Sequence, residues 1–209
     1  MVKKADVPRH IIKTALALAE SQGWRDTRLG DIADTAKLPL GDLLAIYPSK
    51  TAIIAAYSRQ IDCDVTKAID PELAGEPPRD RLFDVMMRRF DVLAPDREAL
   101  RSIIGAAVCD PVSAVCNAFT LRRSMVMMLE AASISASGLS GIIRVKGLAA
   151  IYLSVLRVWL NDDSEDMAQT MSALDRALRR AEFLLGLCRL PARWKRNGEG
   201  RFPWTRSLL

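Results

Sequence analysis

The residue types that carry most enzyme chemistry are scarce in this sequence. His10 is the only histidine, so a histidine-based metal site is excluded and histidine-dependent catalysis is disfavoured. The four cysteines lie far apart and form no Cys-x-x-Cys pair, as expected of free thiols in a reducing compartment. The sequence has no glycine-rich phosphate loop and no nucleophile elbow. We therefore predict a protein that is not an enzyme and that has no bound metal or cofactor.

Basic residues are concentrated at the two ends of the chain. Residues 1–60 carry nine Lys/Arg and six Asp/Glu, residues 61–188 carry 15 and 18, and residues 189–209 carry six and one. This distribution suits an anionic partner at either end. The final segment also contains Trp194, Phe202 and Trp204, and this mixture of basic and aromatic residues is typical of a membrane-surface contact. Packing of the tail on a dimer, or a solvated terminus, would explain the same composition.

The hydrophobic pattern predicts a cytoplasmic protein with a sizeable core. Half of the residues are hydrophobic, which argues against disorder over most of the chain. The most apolar stretch, Val126 to Leu160, is interrupted by four charged residues, so we expect no membrane span. The first residues lead straight into a helical pattern, without the apolar core of a signal peptide.

Nearly every segment has helical periodicity, which predicts an all-α fold of about nine helices. Thr27 and Ser49 are expected to cap two of them, and the turn around Asp162 to cap the last one. The predicted domains are a three-helix head over residues 1–48, a larger helical ligand-binding and dimerisation domain over residues 49–188, and the basic aromatic tail over residues 189–209.

The stretch from Thr27 to Lys50 has the pattern of two short helices that cross at small residues. Leu38 and the proline after it mark the turn between them. Leu43 should lock the second helix to its neighbours, and Gly41 should permit their close approach. A unit of this kind places its second helix in the major groove of DNA.

This stretch resembles the head of the TetR-type transcriptional regulators. The matching residues are Thr27, Ile32, Ala33, Ala36, Leu38, Gly41, Leu43, Tyr47 and Lys50. The resemblance implies a homodimer that binds operator DNA and responds to an apolar ligand, with Thr27 and Lys50 touching phosphates. The candidate DNA-binding residues are Thr27, Arg28, Lys37, Leu40, Asp42, Leu44 and Lys50.

The recognition helix departs from the pattern of that family. Glycine, serine, tyrosine and histidine are common where this chain has Lys37, Pro39, Leu44 and Ile46. The helix has no Arg, Lys, Asn or Gln to read a base edge, and Asp42 would repel phosphate. Two interpretations follow: a DNA-binding regulator, or a helix-turn-helix unit kept for packing with weakened or lost DNA affinity.

The middle of the chain is rich in methionine and phenylalanine. Methionine adapts its shape, which suits a pocket for flexible apolar ligands, although the same residues would also form an ordinary core. The predicted pocket residues are Phe83, Met86, Met87, Phe90, Phe119, Met125, Met128 and Trp159.

A second resemblance covers parts of the body. Residues 79–91, 147–152 and 159–166 look like the lipid-binding ubiquinone-biosynthesis proteins that share the TetR fold. This resemblance implies a hydrophobic groove for an isoprenoid-like or acyl ligand, and a role beside membranes without DNA. It defines the alternative function, a lipid-binding accessory protein with a DNA-silent head.

The last two helices have narrow apolar stripes, which indicate surfaces that must be covered. A partner subunit could cover them, because the two helices would pair as a hairpin at the end of the chain. Burial in the core of a monomer is the alternative. The predicted dimer-interface residues are Val145, Tyr152, Met171, Leu174, Leu178 and Leu185.

Overall fold

Helices account for most of the part of the chain that the structure describes. The computed structural model describes residues 6–67, 75–107 and 111–185, with side chains from residue 115 to residue 182 in the last range. Over these ranges there are nine α-helices and no strand, which confirms the predicted all-α class. The helices are α1 (Val7–Ser21), α2 (Leu29–Thr35), α3 (Leu40–Ile46), α4 (Lys50–Lys67), α5 (Pro78–Leu93), α6 (Arg97–Ala107), α7 (Pro111–Ala131), α8 (Gly138–Trp159) and α9 (Ala168–Leu185).

Helices α1 to α3, called the head below, pack against one another. Ile32 and Ala33 of α2 and Leu43 of α3 are buried where the helices pack together. His10 of α1 lies 3.2 Å through its Nε2 from the carbonyl oxygen of Ala36, so the histidine joins α1 to the end of α2. Gly41, in contrast, is exposed and a Cβ there would meet no other atom, so the close approach predicted at this glycine is wrong.

The two predicted helix caps in the head have different outcomes. The Ser49 hydroxyl accepts a hydrogen bond of 3.1 Å from the Ala52 amide, as predicted for the start of α4. Thr27 does not cap α2, because its hydroxyl donates to the Gly23 carbonyl at 2.8 Å. Asp31 instead accepts the Arg28 amide at 2.7 Å. An acidic residue at the third helical position often satisfies the first amide in this way.

The head packs directly on the body. Helix α1 contacts α4 and α6, and the backbone amide of Trp24 donates to the Ser102 hydroxyl of α6 at 2.8 Å. One continuous hydrophobic core runs from Ile11 in α1 to Leu178 in α9. The head is therefore held against the body by burial, and a movement of α4 or α6 would reach it through these contacts.

In the body, α4 packs against α5 and α7, and α8 packs against α7 and α9. Helix α8 is long and apolar enough to cross a membrane by length and composition alone. Its Leu148, Val155 and Trp159 are buried against neighbouring helices. One side of α8 is thus covered by the chain itself, whereas Leu139 and Ile143 on the same helix are exposed.

Asp162 organises the start of α9, as predicted for this turn. Its carboxylate accepts hydrogen bonds from the Thr170 amide at 2.8 Å, the Thr170 hydroxyl at 2.6 Å and the hydroxyl of Ser164. Burial alone would raise the pKa of Asp162, but these hydrogen bonds outweigh it and lower the pKa from 3.8 to about 2. The stabilisation from Asp162 is therefore present above pH about 4 and is lost as the pH falls towards 2.

We expect Asp162→Asn to reduce the acid sensitivity of the fold. Between pH 5 and pH 3 the wild-type contribution should fall by about 1 kcal/mol, because the unfolded state takes up the proton first. Urea titrations at the two pH values would measure this difference. Asp163→Asn is the matched control, since Asp163 is the exposed neighbouring carboxylate. An equal pH dependence in wild type and Asp162→Asn would contradict the prediction.

Candidate ligand cavity and helix-turn-helix face

A cavity of about 330 Å³ lies inside the body between α4, α5, α6, α7 and α8. This volume is at the lower end of the range of about 300–1,000 Å³ found for small-molecule sites. Aliphatic side chains from these helices form most of its lining, including Ile61, Leu93, Leu100, Ile103, Leu121 and Leu156. The cavity therefore offers a ligand a predominantly apolar environment.

One wall of the cavity is polar and is formed around Arg89 of α5. Arg89 is only 4% exposed, and its Nη1 donates to Asp62 Oδ1 of α4 at 2.5 Å. The Ser124 hydroxyl of α7 donates to Asp62 Oδ2 at 2.9 Å. The hydroxyl of Ser58 lies 3.1 Å from that of Ser124, and Arg89 Nε points to the hydroxyl of Tyr152 of α8 at 3.4 Å. This cluster joins four helices at the cavity wall.

Burial and neighbouring charged or polar groups determine the protonation states of Arg89 and Tyr57 at the cavity wall. Burial opposes the charge on Arg89, but the neighbouring tyrosine and the Asp62 carboxylate raise the Arg89 pKa overall. Burial also raises the pKa of Tyr57, whose hydroxyl donates to Asp96 at 2.7 Å. The wall thus presents a neutral phenol and an ion pair whose charges cancel.

The pocket residues predicted from the sequence do not line this cavity. Met86, Phe90, Met125, Met128 and Trp159 are fully buried in the core. Phe83 and Met87 are partly buried against that core, and Phe119 is 72% exposed. The large side chains fill the space between helices, so the space that remains is bounded by smaller aliphatic and hydroxyl groups.

The polar residues of the cavity wall were missed, although the sequence contains a signal for them. Arg89 lies between Met86 and Leu93 on the apolar face of α5, and Asp62 lies between Ile61 and Val65 on α4. A charged residue within an apolar helical stripe requires a buried partner. Because Arg89 and Asp62 have opposite charges, the sequence alone suggests that they form an ion pair.

Most of the predicted dimer-interface residues are buried inside a single chain. Val145, Tyr152, Leu174 and Leu178 are at most 6% exposed because α8, α9, α5 and α7 pack around them. Met171 is half-buried, and the side chain of Leu185 lies outside the described residues, as does the whole of the tail at 189–209. The apolar seam of these helices therefore faces the chain's own core at these four positions.

The two residues expected to touch phosphates are engaged within the head. The Lys50 ammonium donates to the carbonyl oxygens of Trp24 at 2.5 Å and Thr27 at 2.7 Å, and it lies 4.7 Å from the Trp24 ring centre. Burial lowers the Lys50 pKa, partly offset by Asp26 and Asp31. Thr27 is only 1% exposed. Both side chains thus stabilise the junction between α1, α2 and α4.

The outer face of α3 is apolar with one acidic residue. Leu40, Leu44 and Ile46 are 46%, 41% and 38% exposed, and Asp42 is also exposed. Residues 25–46 carry three Arg/Lys and four Asp. The basic residues Arg28 and Lys37 are exposed beside this face. Residues 25–46 therefore carry a net charge of −1, which does not attract the phosphates of DNA.

Lys37 occupies the turn between α2 and α3 with a positive φ of 56°. This left-handed conformation costs a residue with a Cβ about 1–2 kcal/mol. We expect Lys37→Gly to raise the free energy of unfolding by about 0.5–1 kcal/mol, since the glycine also gains freedom in the unfolded chain. Urea denaturation measures the change. Lys37→Ala is the control, because it removes the charge and keeps the strain; an equal gain in both variants would contradict this explanation.

The chain is similar to known proteins both in part of its sequence and in its fold. The COQ9 family model matches residues 145–184, which cover most of α8 and α9. No curated protein matches the chain by sequence. A solved TetR transcriptional regulator from Nitrosomonas europaea is similar to 85% of this chain and 98% of its own, with 25% identity and a TM-score of 0.69.

The chain has the TetR-type fold. A TetR regulator from Rhodococcus sp. RHA1 has a TM-score of 0.60 at 20% identity, over 84% of this chain and 98% of its own. The TetR-family repressor FadR of Thermus thermophilus, solved in complex with lauroyl-CoA, has a TM-score of 0.57 at 20% identity, over 82% and 93%. The resemblance to TetR-type regulators is confirmed, and the resemblance to the ubiquinone-biosynthesis proteins is confirmed for residues 147–152 and 159–166, which lie within the COQ9 match. Residues 79–91 lie outside that match.

Proposed function

We propose that this TetR-type protein binds an apolar, lipid-like ligand in the cavity beside Arg89 and does not act as an enzyme. The observation that carries the proposal is a mostly aliphatic lining with polar groups clustered around Arg89. Sites for small apolar ligands combine these two features, since the apolar surface supplies affinity and a few polar groups fix orientation. The COQ9 match over residues 145–184 supports a lipid ligand. We place the protein in the cytoplasm.

Nile red, a neutral apolar dye, tests the proposal. The wild-type protein should bind it and enhance its fluorescence. In Ile103→Trp the indole should occupy the cavity, because Ile103 is 5% exposed and lines it, and the affinity should fall by about tenfold or more. Leu44→Trp, on the exposed face of α3, is the matched control. Equal binding by the Ile103→Trp and Leu44→Trp variants, or no binding by wild type, would contradict the proposal.

We further propose that the head has little affinity for DNA. The exposed face of α3 offers leucine, isoleucine and aspartate, and these side chains have no donors for base edges or phosphates. The second candidate, a DNA-binding regulator, is favoured by the similarity to solved TetR regulators. In that case the same cavity would hold the effector, and the exposed Arg28 and Lys37 would contact the DNA backbone.

Fluorescence anisotropy with a labelled duplex from upstream of the gene separates these candidates. The accessory-protein proposal expects weak binding at every salt concentration. A regulator would show a steep fall of affinity with salt, and Lys37→Ala would reduce the slope by about one. A steep dependence of DNA affinity on salt that is reduced in Lys37→Ala would contradict the proposal that the head does not bind DNA.

We propose that the protein forms a homodimer through the exposed apolar face of α8. Leu139 and Ile143 are 82% and 56% exposed on this helix. Leu139→Asp combined with Ile143→Asp should give a monomer by light scattering, because an interface would have to bury both carboxylates. Val115→Asp combined with Phe119→Asp, at exposed positions of α7, should leave the dimer intact. An unchanged mass in the α8 variant would refute this interface.

A further inference from the structure

The polar wall of the cavity also defines the head group of the ligand. We infer that the cavity takes a single-chain amphiphile whose head is an uncharged hydrogen-bond acceptor, such as an ester or a ketone. This inference rests on the proposed function, because it requires that the cavity binds a ligand. It excludes heads that carry a net negative charge, such as a carboxylate or a phosphate.

The charge of the wall favours a neutral head. Arg89 is the only charged residue among the described residues that line the cavity. Its guanidinium is already paired with the Asp62 carboxylate, with 2.5 Å between Nη1 and Oδ1. An anionic head would lose its hydration and meet a wall whose net charge is zero, with a carboxylate close by. The free energy of binding therefore favours a head without charge.

The donors of the wall favour an acceptor. Arg89 Nη2 lies 3.5 Å from the Ser58 hydroxyl and 3.4 Å from the Ser124 hydroxyl, and Nε lies 3.4 Å from the Tyr152 hydroxyl. These distances exceed the usual N–H···O range of about 2.7–3.2 Å, so Arg89 Nη2 and Nε form only weak hydrogen bonds with these hydroxyls. A carbonyl oxygen beside Arg89 and Ser58 would receive shorter bonds. Hydrogen bonds to a charged donor are also the stronger kind.

The size of the cavity favours a single chain. The volume of about 330 Å³ is at the lower end of the range of about 300–1,000 Å³ found for small-molecule sites, which suits one chain better than two. Leu100 and Ile103 form part of the apolar lining that a tail would contact, and the lining reaches the surface at Ala118 of α7, which is exposed. The remainder of a longer tail would leave the cavity there.

Displacement of bound Nile red by methyl decanoate and decanoate provides the test, because the two probes share a chain and differ in head charge. Near pH about 8 the acid is ionised. Wild type should bind the ester about tenfold more tightly than the anion. Asp62→Asn leaves the Arg89 charge uncompensated, so the order should reverse and decanoate should bind more tightly. Asp64→Asn is the control on the same helix, since Asp64 pairs with Lys67 at the surface.

Ser58→Ala supplies a second arm that does not alter the ion pair. It removes one hydroxyl from the wall, so the affinity for methyl decanoate should fall by about threefold or more while that for decane stays constant. Decanoate binding as tightly as the ester in wild type, or an unchanged order in folded Asp62→Asn, would overturn the inference. No response to Ser58→Ala would do the same. Failure of wild type to bind Nile red or any of the three probes would instead refute the proposed function itself.

Discussion

Replacement of Arg89 by methionine should lower the free energy of unfolding by about 3–5 kcal/mol, because it leaves a carboxylate buried without its partner. Asp62 is 7% exposed and receives its shortest hydrogen bond from Arg89. The loss should be largely recovered in the double variant Arg89→Met with Asp62→Leu, in which neither charge remains. Urea denaturation of the three proteins would measure both effects.

Arg88→Met is the matched control, because Arg88 is the next residue of α5 and pairs with Asp84 at 2.6 Å. Both side chains of that pair are 31% exposed, and partly exposed pairs typically contribute at most about 1 kcal/mol. If Arg89→Met costs no more than Arg88→Met, then the cluster at the cavity wall is not the desolvated ion pair described above.

Truncation of Trp159 to alanine should destabilise the protein by about 3–5 kcal/mol without weakening the affinity of the folded protein for Nile red. Trp159 is fully buried, and its ring centre lies 5.6 Å from that of Phe90. The Arg97 guanidinium lies 4.8 Å from the centre of the indole ring. The residue does not line the cavity, so its loss should affect packing and not the ligand.

Trp159→Phe is the conservative control. It keeps an aromatic ring and removes the indole Nε1, which has no hydrogen-bond partner among the described residues. Its cost should therefore be well below that of Trp159→Ala, since an unsatisfied buried donor disappears with it. A large loss of Nile red affinity in the folded Trp159→Ala variant would show that Trp159 contributes to the binding site. It would contradict the claim that Trp159 belongs only to the core.

The outer face of the head could be predicted from the sequence because it depends on local periodicity. The pattern places Leu43 inward and Leu40 and Leu44 outward, and the structure buries the first and exposes the others. The absence of base-reading donors on α3 follows from residue identity alone. For the same reason, the helices and the crossing at Ala33 could be predicted from apolar spacing and helix caps.

The cavity could not be predicted in this way, because five helices contribute to it. Periodicity shows that Phe90 and Met128 face inward, but it does not show where large side chains meet and where they leave a gap. The sequence is equally unable to show what covers the apolar stripe through Leu174 and Leu178. An apolar stripe indicates that a surface is covered, and only the packing of α9 on α8 shows that the same chain covers it.

Native mass spectrometry of the purified full chain tests the central claim most directly, because it weighs what the cavity holds. We expect wild type to carry one small apolar, uncharged molecule per chain, released as the collision energy rises. The Ile103→Trp variant should be detected without the bound molecule, and the Leu44→Trp variant should carry it as wild type does. A wild-type protein that never carries such a molecule, even after incubation with methyl decanoate, would contradict the claim that this fold holds an apolar ligand beside Arg89.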